Sequence, residues 1–377
     1  MPPLVEYTKI GLKNCYMPER QSWSFIYHLD GRDNPNESLP SKDAFYSLNV
    51  ILGFAKLGRK AWENDYDLPA LLQKNARDLF ETGAPTYAMG MALWAAAELD
   101  VPLEESTGKK IRDFIRNRSN WRNFRAQDAG MLLTGMAEEK ARGYHGFDQD
   151  SHDLYRFIIN RYRSKSGLFF DQTYGLRKNF GSFATQTYLT TACYHYGTRF
   201  KNEEALAIAD ESTQKLISLQ GSNGGWPWFY FVPRGMVVDH YEVYSVHQHG
   251  MAPLFLTFAE EREVPGATQA ITKGFEWLLG NNQLQQNMFV PELGMFYRSI
   301  IRHAELADRR HRVTRALGNA LTGTSDTLAP GKDLTLRREC RSYELGWILY
   351  SFGNRTDMPR ITHNGNFVEA LKLQEAA

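Results

Sequence analysis

The sequence predicts an all-α protein, an (α/α)6 toroid of six helical hairpins with short β-hairpins in the loops on one face. Three observations carry that prediction. A short polar signature returns at the start of successive apolar helices: Asp128-Ala-Gly-Met, Gln186-Thr-Tyr-Leu, Gln248-His-Gly-Met and Glu344-Leu-Gly-Trp. Asp43-Ala-Phe-Tyr is a looser copy, and Ala88-Met-Gly-Met keeps the spacing without the acid or amide. Each of these helices is apolar on nearly every side, as in Pro253-Leu-Phe-Leu-Thr-Phe-Ala, which marks it for burial between other elements. Each is followed by an amphipathic partner, and repetition at this scale marks a repeat architecture.

In chain order, inner helices are expected near 43–58, 86–99, 127–140, 184–196, 246–260 and 342–353. Outer, amphipathic helices are expected near 68–80, 109–118, 151–163, 203–219, 266–280 and 304–320. The segment 204–218 spaces its apolar residues for one buried face and leaves the other charged. Links before several inner helices mix aromatic and polar groups: Trp121-Arg-Asn-Phe-Arg, Gly167-Leu-Phe-Phe-Asp, Gly225-Trp-Pro-Trp-Phe and Gly294-Met-Phe-Tyr-Arg. Two read as β-hairpins, one flanking Pro233-Arg-Gly235 and one in which Leu168–Gln172 precedes a turn at Gly175. These loops are expected to roof the face where the polar helix starts gather. The segment 321–336 reads as a surface connection or a lid. The chain of 377 residues reads as one domain, a ring over 43–353 with an N-terminal extension (1–42) and a C-terminal tail (354–377).

Composition narrows the function. Hydrophobic residues make up 42%, enough for a large core, and the formal net charge of +1 gives no global attraction to nucleic acid or anionic surfaces. The three cysteines, Cys15, Cys193 and Cys340, form no CxxC pair and read as reduced thiols. The first residues lack an apolar run behind a basic start, and no stretch is apolar enough to span a bilayer, so a cytoplasmic protein is expected. There is no GxGxxG or GxxxxGK[ST], and His247-Gln-His249 has the wrong spacing for one ion, so neither cofactor nor metal is expected.

Three sets of residues are candidates for chemistry. The densest runs from Val238 to Gly250 and holds Asp239, Tyr241, Glu242, Tyr244, His247 and Gln248. So many titratable groups beside aromatics are costly without a use, although either acid alone also suits a helix N-terminus. The second set is Asp128, Gln186, Gln248 and Glu344, which either converge on the cavity or pair with free N–H groups at helix ends. The third is basic: Arg298 and Arg341 are candidate anchors for a carboxylate or phosphate, while the run 309–312 reads as a solvated helix face.

Gln220-Gly-Ser-Asn-Gly-Gly-Trp226 resembles the QxxxGxW repeat of triterpene cyclases, whose domains are α/α toroids, but the chain carries no DxDD acid. The Gly-Gly-Trp-Pro string at 224–227 is similar to strings in toroid carbohydrate enzymes, including uronyl epimerases and six-hairpin glycosidases. The chain also resembles toroid proteins of bacterial polysaccharide gene clusters. These resemblances imply the toroid shape and a carbohydrate context, and the leading reading is an enzyme acting on an acidic bacterial oligosaccharide or glycoconjugate. The residues themselves supply the roles: the flat rings of Trp226, Trp228, Tyr230 and Tyr244 can stack on sugar rings, and Tyr241 is a further substrate-binding candidate. Glu344 is then the expected proton donor and Asp239 the base, with Asp128 and Glu242 as substitutes. A uronate lyase or epimerase would use Tyr241, Tyr244 or His247 to take the proton. A terpenoid cyclase or prenyltransferase and a non-catalytic glycan-binding scaffold are the other readings.

Overall fold

The computed structural model describes residues 1–375 apart from Arg309 and Asp357. Helix α1 (Pro2–Cys15) precedes the pair α2 (Pro40–Leu57) and α3 (Leu68–Glu81). The next pairs are α4 (Tyr87–Leu99) with α5 (Glu105–Arg116), α6 (Ala126–Ala141) with α7 (Asp148–Tyr162), and α8 (Phe183–Phe200) with α9 (Glu203–Leu219). A π turn, His247–Met251, runs into α10 (Ala252–Glu261), which is followed by α11 (Ala267–Leu278). Two helices, α12 (His303–Ala307) and α13 (Arg310–Thr322), come before α14 (Ser342–Phe352). Helices α15 (Pro359–Thr362) and α16 (Gly365–Glu375) follow.

Helices α2, α4, α6, α8, α10 and α14 pack in that order and α14 returns to α2, so the inner ring closes. All six match the expected inner positions. Outer helices start where local chemistry directs them. Asp67 caps α3 by accepting from the Ala70 N–H at 3.0 Å, and Asn202 caps α9 by accepting from Ala205 at 2.8 Å.

The sixth outer position is a correction. The segment 304–320 leaves the ring as α12 and α13, and α13 lies against the strand Met236–Asp239 over the mouth. Helix α1 packs on α14 instead. The physical reason is burial: α1 carries Leu4, Val5, Tyr7 and Leu12 on its inner face, whereas α13 has only Ala316 and Ala320. A polar helix of that kind cannot replace an apolar wall.

The recurring glycines let the inner helices touch backbone to backbone. A Cβ at Gly90 would overlap the Met131 carbonyl, one at Gly135 the Gly90 carbonyl, and one at Gly53 the Gly346 carbonyl. Because rigid backbone faces each site, Gly90→Ala is expected to destabilise the fold by about 1–3 kcal/mol, the cost of overpacking. A denaturant titration showing an unchanged midpoint would contradict this.

Short sheets roof one end of the ring. Phe229–Phe231 pairs with Met236–Asp239 around Pro233-Arg-Gly235, where Gly235 takes a left-handed φ of 57°. Among the described residues the second expected hairpin has no paired strands: Leu168–Gln172 makes an isolated bridge between Phe169 and Arg163, and across the Gly175 turn the Asp171 N–H donates to the Phe180 carbonyl at 2.8 Å, while the third strand of this sheet is Phe180–Ser182. A further sheet places Ser299–Arg302 between Val243–Tyr244 and Leu334–Arg337.

Candidate active site

The two sheets bring Asp239, Glu242, Ser299, Arg302 and Arg337 to the roofed end of the ring. This is also the end where α14 and the π turn begin. Register explains the placement. Tyr244 pairs with Ser299 and Ser299 with Arg337, so residues 57 and 95 positions from Glu242 come to lie beside it.

Asp239 is fully buried and forms the hub of one cluster. Its Oδ1 accepts from Arg302 Nη1 at 2.7 Å and lies 3.6 Å from Arg315 Nη1. Arg302 also reaches Glu305 at 3.3 Å and Asp326 at 3.1 Å. Arg312 faces Asp239 at 4.0 Å, Glu242 at 3.6 Å and Glu305 at 3.4 Å. Burial pushes the Asp239 carboxyl up to about 6, and the neighbouring Glu305 charge adds to the rise against the opposing pull of Arg302. Asp239 Oδ2 accepts no hydrogen bond among the described residues.

Glu242 is held by four neighbours. Ser299 Oγ donates to its Oε1, Tyr244 OH donates to Oε2 at 2.9 Å, and Arg337 Nε and Arg312 Nη2 lie at 3.2 and 3.6 Å. Glu242 and Glu305 touch the same Arg312 nitrogen, at 3.6 and 3.4 Å, so one guanidinium bridges the two carboxylates.

Glu344 sits deeper, fully buried at the first turn of α14. Its Oε1 is 3.2 Å from His249 Nε2 and its Oε2 3.4 Å from Arg298 Nη1. Arg298 also donates to Tyr343 OH at 3.3 Å and stacks on the Tyr244 ring at 4.8 Å. His247 lies parallel to Trp228, with ring centres 6.0 Å apart, and Tyr244 leans on it at 5.0 Å. Burial, assisted by the Arg298 charge, holds the His247 imidazole well below its ordinary value, so the ring is neutral.

The structure thus brings Asp239, Glu242, Glu344, Tyr244, His247, Trp228 and Arg298 to one mouth and removes others from it. Asp128 is a staple: Oδ2 accepts from the Arg125 N–H at 2.9 Å and Oδ1 from the Tyr87 N–H at 3.0 Å, joining the starts of α6 and α4. Gln186 accepts from the Phe169 N–H at 2.8 Å and donates to its carbonyl at 2.7 Å. Gln248 is fully buried and donates to the Tyr244 carbonyl at 3.0 Å. Trp226 is core, wedged against Phe183 and Phe255. Tyr230 is also buried and donates to the Pro227 carbonyl. Tyr241 lies under Arg302, whose guanidinium is 4.6 Å from its ring, with no face open to a sugar. Arg341 is tied to Glu339 at 2.7 Å and stacked on Phe25 at 4.0 Å on the rim.

Several mouth residues escape the sequence reading. Of the run expected to face solvent, Arg312 turns inward with Arg315, and Arg309 lies outside the described residues. The available signal was the spacing of Arg312, Arg315, Ala316, Asn319 and Ala320, which share one side of a helix. The segment 321–336 is pinned over the mouth, with Asp326 accepting from the His240 N–H at 2.8 Å. Among the described residues, no three His, Cys, Asp or Glu side chains converge as metal ligands. No helix described is long and apolar enough to cross a membrane.

No family model and no curated protein matches the chain. Solved structures do. Cellobiose 2-epimerase from Bacillus thermoamylovorans superposes with a TM-score of 0.60 at 10% identity, covering 94% of this chain and 100% of that one. Unsaturated glucuronyl hydrolase from Bacillus sp. GL1 gives 0.55 at 11% identity, covering 93% and 94%. An inactive alpha-1,6-mannanase variant from Salegentibacter, in complex with alpha-1,6-mannotriose, gives 0.56 at 8% identity, covering 93% and 97%. The chain therefore has the α/α-toroid fold found in these six-hairpin, glycosidase-like proteins.

Proposed function

We propose that the protein is a carbohydrate-active enzyme whose mouth cleaves a glycosidic bond in an acidic glycan. The observation that carries this reading is the meeting of Asp239 and Glu242 around one guanidinium, beside the ring faces of Trp228 and Tyr244. Asp239 serves as proton donor, because a carboxyl raised to about 6 still holds its proton in mildly acidic solution, where an ordinary carboxyl has lost it. This reverses the order read from the sequence, in which Glu344 donated. Glu242 serves as the second carboxylate, oriented by Ser299, Tyr244 and Arg337. Carbohydrate-active toroids of the same fold support the substrate class. A mouth lined by arginines and carboxylates does not suit a carbocation, which favours sugar over terpenoid chemistry.

Arg337 engages Glu242 through Nε, leaving its Nη groups for a substrate carboxylate. Arg337→Ala is expected to raise KM for uronate-containing oligosaccharides by about tenfold without changing KM for neutral ones, the loss of one charge-assisted contact, while the lost contact with Glu242 lowers kcat on both alike. Equal effects on the two KM values would remove Arg337 as the anchor.

A second reading rests on the His249–Glu344–Arg298 group, where an imidazole and a carboxylate are 3.2 Å apart beside a cation. Such a group suits proton removal next to a uronate carboxylate, as in a lyase or epimerase. Incubation with acidic oligosaccharides separates the readings by product. Hydrolysis yields a new reducing end with water added, elimination yields an unsaturated uronate, and epimerisation yields an isomer carrying solvent deuterium. Cleavage that persists in Asp239→Asn and Glu242→Gln would overturn the proposal.

A further inference from the structure

The ring has a second concavity at the end opposite the mouth. A cavity of about 780 Å³ lies there among the last two turns of the inner helices, with Lys56 from α2, Glu138 from α6, His195 from α8, Phe258 from α10 and Tyr350 from α14 in its wall. Buried aromatic side chains stand between it and the mouth: Trp94 and Trp347 have ring centres 5.6 Å apart, and Tyr188 lies 6.4 Å from Trp347. None of the groups in this basin takes part in the chemistry of the mouth.

Its wall carries hydrogen-bonding groups that the fold leaves unused. His195 is buried; its Nδ1 faces Glu138 Oε1 at 2.6 Å, and its Nε2 has no hydrogen-bond partner among the described residues. Burial pushes the Glu138 carboxyl up, but His195 and Arg199 outweigh it and hold the group down at about 2, so it stays ionised and fixes the imidazole. Arg199 grips this carboxylate through Nε and Nη2, at 2.9 and 2.8 Å, and Arg355 grips Glu260 through Nη1 and Nη2, at 2.6 and 3.0 Å. Arg199 Nη1 and Arg355 Nε remain as donors. Thr198 and Asn354 add a hydroxyl and an amide without partners among the described residues.

The charge balance narrows the ligand. Lys56, Arg199 and Arg355 share the wall with Glu138, Glu260 and Glu261, so an anion would meet three carboxylates and a cation three bases. Lys56 is also paired with Glu98 at 3.2 Å. Unused donors, an unused ring nitrogen and the half-buried rings of Phe258 and Tyr350 suit an uncharged molecule with many hydroxyls, each of which donates and accepts at once. The volume is that of an ordinary small-molecule site.

We propose that this basin is a second binding site, separate from the mouth, which takes a neutral mono- or oligosaccharide and sets its hydroxyls against His195, Arg199 and Arg355. Binding there does not depend on which reaction the mouth performs.

The test is titration calorimetry of the full chain with glucose, galactose, mannose and their disaccharides, and with glucuronate and glucosamine as charged counterparts. At least one neutral sugar is expected to bind with a Kd of about 1 mM or tighter. That Kd should not change with salt, because the ligand carries no charge to screen. The charged counterparts should bind at least about tenfold more weakly, having a like charge to face in either case. Thr198 is exposed at the entrance, so Thr198→Trp fills the basin without touching the core and should weaken binding at least about tenfold. His195→Phe keeps the ring and removes its nitrogens, with a similar loss expected; circular dichroism checks its fold, and Thr198→Trp carries the test if it does not fold. The variant combining Asp239→Asn with Glu242→Gln is expected to bind like the wild type, so failure of the mouth reading and failure of this one are read separately. Absence of binding by every neutral sugar would overturn the proposal. So would wild-type affinity in Thr198→Trp, loss of binding in the mouth variant, or tighter binding of a charged counterpart.

Discussion

Replacing Arg302 by methionine is expected to cost about 3–5 kcal/mol of stability at neutral pH, the price of leaving buried carboxylates without their cation. Arg302 is buried and touches Asp239, Glu305 and Asp326 at once. Glu305 keeps Arg315 and Arg312, but among the described residues Asp326 pairs with no other cation and Asp239 only with more distant ones. Lysine at this position restores charge without the fork that serves three partners, so Arg302→Lys should recover only part of the loss. The loss also depends on pH. In the wild type the folded Asp239 carboxyl stands at about 6 against 3.8 for the free group. Between those values the folded protein binds a proton that the unfolded chain has released. Stability therefore falls as pH rises from about 4 through 6, by ~3 kcal/mol in total, and this contribution is flat above that window. Arg302→Met pushes the carboxyl higher, so its destabilisation should shrink on acidification. Urea midpoints measured across this range give the slope for both proteins. A wild type with no slope, or one of opposite sign once other groups are matched using Asp239→Asn, would show that Asp239 is not proton-linked.

Asp239→Asn is expected to lower kcat by about 10²–10⁴ on a cleaved glycan, the contribution of a positioned general acid. The sign with pH follows from the same carboxyl. A donor must hold its proton, so activity should fall as pH rises through about 6, and the variant should lack that limb. The variant should remain folded, because an amide oxygen still accepts from Arg302. A variant that keeps its rate on a substrate with a good leaving group, yet loses it on the natural linkage, would identify proton donation as the step affected. A variant with wild-type rates on both would end Asp239's role as donor.

The ring was readable because burial leaves a strong trace: helices walled in on every side must be apolar on every side, and no surface helix has that composition. The role of the polar signature was readable only in part. Asp128 and Gln186 occur where a cavity is expected, but their position also suits free backbone groups, and only tertiary contacts reveal that Tyr87 and Phe169 present them. Asp239 and Glu242 stood out because their neighbours are titratable and aromatic. Arg312 and Arg315 did not, since an arginine on a polar helix has the same sequence environment whether it faces water or a buried acid. Placing α13 correctly required knowing that the sixth wall was already taken by a helix some three hundred residues earlier.

That arrangement affects how the chain is made. The face of α1 bearing Leu4, Val5, Tyr7 and Leu12 is covered by α14 and by the segment around Met295 and Phe296, to which Tyr7 is tied. At ribosomal speeds of roughly 5–20 residues per second, α14 emerges on the order of 20–70 s after α1. Throughout that interval the early helix presents a sticky surface with no native mate, and the nascent ring is open at one seam. Synthesis of this protein is therefore expected to lean on holding chaperones, and truncations that stop before α14 should accumulate as aggregates rather than as smaller folded rings.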